Sequence, residues 1–206
     1  METVELAPKV NRFPEKLNQN KIGNLIAMLA MKIPNLYSTK VLKMLYLIDE
    51  TSVKETGLTV TDLNYKVWIK GPVPVPVYFD LLHEDSILKE YFDTKRVCIT
   101  NNKKAAIQIT PKENTTIDDS EFSEYELELI ERIVNEFGDW STTKLIKHLH
   151  KEGSAWKKVV DDNNLDELFA VDEVNVTNYP IDFASLIKDK PYQHSVFKSA
   201  ELAKHF

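Results

Sequence analysis

Two stretches near the start of the chain carry apolar residues at helical spacing. The first begins near Asn20 and has its apolar stripe at positions i, i+3, i+4 and i+7, namely Ile22, Leu25, Ile26 and Leu29. The second ends at Gly57, a residue typical of helix ends, and contains Val41, Leu42, Leu45, Tyr46, Ile48 and Val53. Because only a few residues join the two stretches, we expect neighbouring helices, antiparallel or steeply crossed, that form the stability core.

Alternation of apolar and polar residues replaces the helical spacing after the second helix. Apolar residues occupy every second position over residues 65–69, which predicts a half-buried strand with Trp68 and Lys70 on its outer face. The next sequence, GPVPVP at residues 71–76, contains three prolines, which cannot donate backbone hydrogen bonds, so we expect a rigid turn. Two further β-prone runs flank residues 101–104 and predict a β-hairpin.

The second half of the chain has patterns of several more helices. Ser123 and Glu126 form a capping-box sequence ahead of an acidic amphipathic helix that ends at Gly138. A basic helix follows from Ser141, and the opposite charges favour pairing of these two helices. Residues 161–175 are acidic and loop-like. Beyond them, apolar groups predict two short helices, one with Phe183, Leu186 and Ile187 and one with Val196, Phe197, Leu202 and Phe206.

These elements predict an α+β fold that is predominantly α-helical, a helical bundle with a small β-hairpin or sheet. The length of 206 residues suits one domain. We expect an extended N-terminal arm over residues 1–19 and a main domain over residues 20–160. A C-terminal extension over residues 161–206 is expected to pack on or beside that domain.

Composition places the chain among globular proteins, with 43% hydrophobic and 28% charged residues. No apolar run approaches the roughly 18–20 residues that a membrane-spanning helix needs, and the N-terminus lacks the apolar core of a secretion signal. The single cysteine, Cys98, excludes an intrachain disulfide and a cysteine-based zinc cage. We therefore expect a reducing, cytoplasmic setting without a membrane partner.

The charge of the chain bears on whether its macromolecular partner is a nucleic acid or a protein. The net charge of −6 opposes binding to a polyanion such as DNA, and the five glycines form no phosphate-binding motif. The acidic stretches 121–136 and 161–173 are typical of solvated faces, and the alternative is that they match a basic protein surface or mimic the charge of a nucleic acid. One basic face is the candidate nucleic-acid patch, although it lacks the pattern of a recognition helix, and it consists of Lys144, Lys147, Lys151, Lys157 and Lys158.

The sequence assigns no catalytic residue, no cofactor and no metal. His148 and His150 are two positions apart, so on a helix their side chains point apart and do not easily share one ion. Cys98 lies in an apolar β pattern, which favours a buried, inert thiol. Three serines are better explained as helix caps or a turn residue than as nucleophiles, namely Ser123, Ser141 and Ser154. A hydrolase or transferase with sparse catalytic residues stays a third possibility.

Three features of residues 38–82 form a recognisable set. They are the run KMLYLID at residues 43–49, the strand and turn WIKGPVP at residues 68–74, and Tyr78 in the short helix that follows. The set resembles the Panacea domain, also called the SocA-like or GepA-like antitoxin domain of bacterial and phage genomes, which has a K-L-L-Y-L-A/I-D run, a strand followed by G-P-V-P, and an aromatic residue in the next short helix.

Later positions extend the resemblance. Residues 141–143 match a cap rich in serine and threonine, and His150 and Trp156 match a histidine followed by a tryptophan. The resemblance thus covers roughly residues 20–158. It implies a helical domain with a small β element.

The resemblance also implies a function. Members of the family are antitoxins that bind and neutralise varied toxins, at least one delivers its toxin to a bacterial protease, and none is securely an enzyme. We therefore predict a non-enzymatic, phage-associated antitoxin whose partner is a cognate protein toxin, with a protease complex as a further partner. The alternative is a nucleic-acid-binding regulator of prophage or mobile-element origin. The oligomeric state is left open.

The proline-rich segment beside aromatic residues is the candidate docking surface. A stiff loop loses little entropy on binding, and tryptophan and tyrosine are frequent interface hot spots. Trp156 follows a tight turn and is expected to be buried. With the later motif residues included, the partner-binding candidates are Trp68, Lys70, Gly71, Pro72, Val73, Pro74, Tyr78, His150 and Trp156.

Overall fold

The computed structural model describes residues 18–83, 85–99, 104–113, 116–170 and 175–204. Most of the expected N-terminal arm, residues 1–17, lies outside this part. The elements follow in the order α1 (Gln19–Lys32), α2 (Ser38–Thr56), β1 (Tyr65–Trp68), β2 (Gly71–Pro74), α3 (Val75–Leu82), a 3-10 helix (Ile87–Glu90), β3 (Phe92–Ile99), β4 (Lys104–Pro111), α4 (Glu124–Phe137), α5 (Thr142–Leu149), α6 (Ala155–Asp162), α7 (Leu165–Ala170), β5 (Val176–Pro180), a second 3-10 helix (Phe183–Leu186) and α8 (Pro191–Ala203). The predicted fold class, α+β and predominantly α-helical, is confirmed.

Helix α2 lies at the centre of the core. Leu25 of α1 and Leu45 of α2 are both inaccessible to solvent, which confirms the two predicted apolar stripes. Helix α2 packs against α4, α5, α8 and β2, whereas α1 packs mainly against β3, β4 and the first 3-10 helix. The loop between α1 and α2 runs beside β4, where the backbone N–H of Ile109 donates to the carbonyl of Leu36. The core is therefore built around α2 rather than around a simple pair of helices.

Strands β1, β2 and β5 form an antiparallel sheet in the order β2-β1-β5. Strands β1 and β2 make a tight hairpin in which Tyr65 lies opposite Pro74 and Trp68 lies opposite Gly71. The prediction of a turn over residues 71–76 is therefore wrong for the first four residues, which form β2 and are buried. Prolines fit there because β2 is an edge strand, with a neighbour on one side only.

Strands β3 and β4 form the second β-hairpin that the sequence predicts, and they pair in register along their full lengths. Cys98 of β3 is exposed, so the expectation of a buried thiol is wrong. The residue lies near the tip of the hairpin, opposite Ala105, whereas the buried Phe92 lies at the other end of the strand. Apolar alternation in a strand does not reveal which part of a hairpin reaches the core.

Helix α4 begins with the predicted capping box between Ser123 and Glu126. The acidic residues of α4 pair with α1, since Glu126 lies 2.7 Å from Lys21 and Glu131 lies 2.5 Å from Lys32. No salt bridge among the described residues joins α4 to α5, and the predicted charge attraction between those helices is represented there by Glu136, which acts on His148. The basic partners of α4 come from a helix that is distant in sequence.

Besides β2, the structure adds three more short elements that the sequence pattern does not predict, namely α6, α7 and β5. Helix α7 lies within the expected acidic loop and buries Leu165 and Phe169. Strand β5 pairs with β1, so part of the chain beyond residue 160 completes the sheet. The predicted C-terminal helix is confirmed as α8. Across the described residues, none of the helices has the length and apolar character needed to cross a membrane.

Candidate functional site

The first two motif segments of the resemblance are joined by a buried lysine. Lys43 of α2 is 1% exposed, and its Nζ donates a hydrogen bond of 2.6 Å to the backbone carbonyl of Pro72 in β2. Burial, together with the positive charge of Lys70, lowers the pKa of Lys43 to about 7. A lysine in an apolar helix stripe thus acts as a cross-link between α2 and the β1–β2 hairpin.

The later motif residues brace the same hairpin from α5 and α6. The rings of His150 and Trp156 stack face to face, with centroids 3.6 Å apart and an angle of 3° between the planes. Trp156 is 4% exposed, which confirms its predicted burial. Its indole Nε1 donates a hydrogen bond of 2.9 Å to the backbone carbonyl of Trp68. Ser154 caps α6 and places Trp156 in the first turn of that helix.

Gly71 lies beside both Lys43 and His150. Its φ of 96° is in the left-handed region, which strongly favours glycine. A Cβ atom built on Gly71 would lie 3.5 Å from both Lys43 Nζ and His150 Nε2, so the two nitrogen atoms border the same small space. Burial, and the nearby charge of Lys43, lower the pKa of His150 to about 4. The imidazole is therefore neutral at pH 7, and its buried Nε2 has no hydrogen-bond partner within the described part of the chain.

Asp49, the last residue of KMLYLID, forms a second buried polar network. Its carboxylate accepts hydrogen bonds from the backbone N–H of Val60 (2.8 Å), the backbone N–H of Thr61 (2.9 Å), the Thr61 hydroxyl and the Tyr65 hydroxyl (2.6 Å). Burial raises the pKa of Asp49 to about 6, while these donors oppose the shift. The network connects α2 to β1, and its four donors occupy the carboxylate oxygens that an acid–base catalyst would need free.

The outer surface of the hairpin and α3 carries an aromatic patch, which we define as Trp68, Tyr78 and Phe79. The ring centroids of Trp68 and Tyr78 lie 4.7 Å apart and those of Tyr78 and Phe79 lie 5.3 Å apart, both pairs in edge-to-face contact. Phe79 is 36% exposed, and the other two rings are half-buried. Lys70, in the hairpin turn, is exposed as predicted, whereas Trp68 is only partly turned outward.

Burial divides the nine partner-binding candidates into two groups. Trp156 and Gly71–Pro74 are buried and therefore act inside the fold. The exposed or half-buried candidates are Trp68, Lys70, Tyr78 and His150. Phe79 is an exposed aromatic residue that the sequence reasoning missed. Its only signal was its position directly after Tyr78, and helical spacing alone does not show which side of a short helix faces solvent.

The predicted nucleic-acid patch is partly neutralised. Lys157 pairs with Asp161 at 2.6 Å and Lys158 pairs with Asp162 at 2.8 Å. The Lys144 ammonium group lies 3.6 Å from the centroid of a tryptophan ring. In the described residues, no group of three or more His, Cys, Asp and Glu side chains is placed to hold a metal ion.

The fold and the motif contacts define a mainly helical domain whose motif residues hold a small sheet in place. A family model described as "Antitoxin SocA-like, Panacea domain" matches residues 41–157, which is more than half of the chain. The chain therefore belongs to the SocA-like antitoxin family with a Panacea domain, and this membership indicates a role of the toxin–antitoxin type. Comparison with curated proteins and with solved structures found no match.

Proposed function

We propose that this protein is a non-enzymatic antitoxin that binds a cognate protein toxin directly, through the aromatic patch and the neighbouring Lys70. The observation that carries the proposal is the continuous row of three rings, which ends in the partly exposed Phe79. Aromatic residues of this kind are frequent hot spots of protein interfaces. Neutralisation would follow from coverage of the toxin surface, without a cofactor.

The rigid support of the patch favours this role. Strand β1 is paired on both sides, by β2 and by β5, and the carbonyl of Trp68 is fixed by the indole of Trp156. A surface that is already ordered before binding loses less conformational entropy when the partner arrives. On this proposal the buried motif residues would contribute to binding by holding the patch in place, without contact to the toxin.

A reducing, cytoplasmic setting suits a chain with a single, exposed cysteine. The nucleic-acid alternative is less favoured, because two lysines of its candidate patch have acidic partners and the net charge is −6.

The proposal is tested with the protein encoded next to this gene, if it proves toxic, as the binding partner in calorimetric titrations. Phe79→Ala should weaken binding by about 30- to 1000-fold, the effect of removing a hot spot worth about 2–4 kcal/mol. Its melting temperature should change by only a few degrees, since the ring is partly exposed. Met31→Ala, at a 57% exposed position of α1, is the matched control and should bind normally.

Two results would contradict the proposal. Unchanged binding by Phe79→Ala and by Trp68→Ala would place the docking surface elsewhere. Retention of the protein on DNA that disappears as salt is raised, without a protein partner, would support the regulator instead.

A further inference from the structure

Helix α8 is attached to the fold more weakly than the other long helices. It has 13 residues, and none of them is buried. Its exposed side chains include Tyr192 at 74% and Leu202 at 63%. By contrast, α4 has 14 residues and buries five. Since apolar burial supplies most of the free energy that holds a helix in place, α8 has little of it.

Polar contacts make up much of the docking of α8 and its cap residue. Lys190, the N-cap residue just before α8, donates from Nζ to the carbonyl of Lys54 (2.8 Å), and Gln193 Nε2 of α8 donates to the carbonyl of Glu55 (3.3 Å). Both carbonyls belong to the last turn of α2, where backbone acceptors have no partner within the helix and water can replace a side-chain donor. At the far end of α8, an exposed ion pair joins Lys204 to Asp62 at 3.2 Å, and such pairs contribute little stability.

The apolar contact between α8 and the rest of the fold is incomplete. A cleft of about 500 Å³ separates α8 from the loop that follows α2, and Leu58, Phe197 and Ala200 are among its lining residues. Phe197, the large apolar side chain that packs against the core, is itself only half-buried. The apolar contact that α8 itself contributes is therefore small, since none of its own residues is buried.

The segments on both sides of the contact are anchored independently of α8. Ile187 is fully buried just before α8, and residues 188–190 separate it from the helix. The end of α2 is held by α4, because the Glu55 carboxylate accepts hydrogen bonds from Arg132 (2.7 and 3.1 Å) and from the Tyr125 hydroxyl (2.9 Å). Neither anchor needs to move if α8 leaves.

We propose that α8 is a releasable arm, which detaches from α2 as one unit by rotation at residues 188–190 while the rest of the protein stays folded. Release would expose Phe197 together with the edge of the core formed by Tyr65 and Phe183, which line a smaller cleft with it. The arm lies outside the matched family region, residues 41–157. This inference does not depend on the proposed toxin binding.

Hydrogen–deuterium exchange of the full chain tests the proposal. Amides 195–203 should exchange through one common opening, with protection factors at least about 100-fold below those of α4. The protection should be uniform along α8. A gradient that rises from the C-terminal end would indicate fraying rather than release, and protection equal to that of α4 would show that α8 opens only on global unfolding. Either result would overturn the proposal.

A pair of glycine variants provides the matched control. Gly57 and Gly153 both have left-handed φ angles, 84° and 78°, so alanine strains the backbone at either position. A Cβ at Gly57 would lie 2.4 Å from the carbonyl oxygen of Gln193 in α8, whereas a Cβ at Gly153 would meet nothing within 4 Å. Gly57→Ala should therefore speed exchange in α8 by about tenfold or more relative to Gly153→Ala, with equal exchange in α4. Equal effects of both variants on α8 would contradict the proposal.

Discussion

The indole Nε1 of Trp156 donates a hydrogen bond to the backbone carbonyl of Trp68, across 88 positions of sequence and a distance of 2.9 Å. This contact joins the last motif residue of the family region to the strand that carries the aromatic patch. With the bond from Lys43 to Pro72, it fixes the β1–β2 hairpin from two separate helices. The buried motif residues therefore determine where the exposed aromatic residues lie.

Trp156→Ala should destabilise the protein strongly. The variant loses the stacked ring on His150 and leaves a cavity, and a substitution of this kind typically costs about 3–5 kcal/mol. Urea unfolding followed by circular dichroism measures the change. Trp156→Phe is the control, since it keeps an aromatic ring but removes the donor to Trp68, so its loss should be smaller. A larger loss for Trp68→Ala than for Trp156→Ala would show that the two tryptophans have the opposite roles.

Leu45→Ala should lower the free energy of unfolding by about 2–5 kcal/mol, because Leu45 is inaccessible to solvent in the central helix. The midpoint of urea denaturation reports the change. Leu168→Ala, at a 45% exposed position of α7, serves as control and should shift stability by less than about 0.5 kcal/mol. A midpoint for Leu45→Ala equal to that of the parent would mean that α2 is rotated relative to the structure.

Lys43 should make stability increase with pH above neutrality. Its pKa is about 7 in the folded protein, against 10.5 for a free lysine, so the unfolded chain binds more protons between these values. The stability that the neutral, buried Lys43 provides is fully present above pH 10.5 and is lost as pH falls toward 7. The free energy of unfolding changes over this range by at most about 1.4 kcal/mol per pH unit. Denaturation at pH 7, 8 and 9 measures this slope.

Two variants show whether Lys43 causes this pH dependence of stability. Lys43→Met should flatten the rise, because the titrating amine is absent. Lys147→Met, at an exposed position of α5, should keep the slope of the parent. An unchanged slope in Lys43→Met would indicate that other groups cause the pH dependence.

Short-range patterns of the sequence predicted most of the helices, although not α6 and α7, and one hairpin. The apolar stripes of α1, α2 and α4, the capping box at Ser123 and the β3–β4 hairpin depend on residues at most a few positions apart, or on a turn that joins adjacent strands. Burial of Trp156 also followed from its local position after a tight turn. The family resemblance, carried by the KMLYLID and WIKGPVP segments, supplied the class of function that periodicity could not give.

Tertiary structure alone decided the roles of the polar motif residues. Lys43 lies in an apolar helix stripe, and only the fold shows that its amine reaches Pro72, 29 positions away. The Asp49 carboxylate is stable in the core because residues 11 to 16 positions later in the chain donate hydrogen bonds to it, and only the fold brings these donors to it. Segment 71–74 contains two prolines and forms a strand only because β1 and Lys43 supply partners. Strand β5 likewise exists through its pairing with β1, since short exposed segments gain too little from their own residues to hold a fixed conformation.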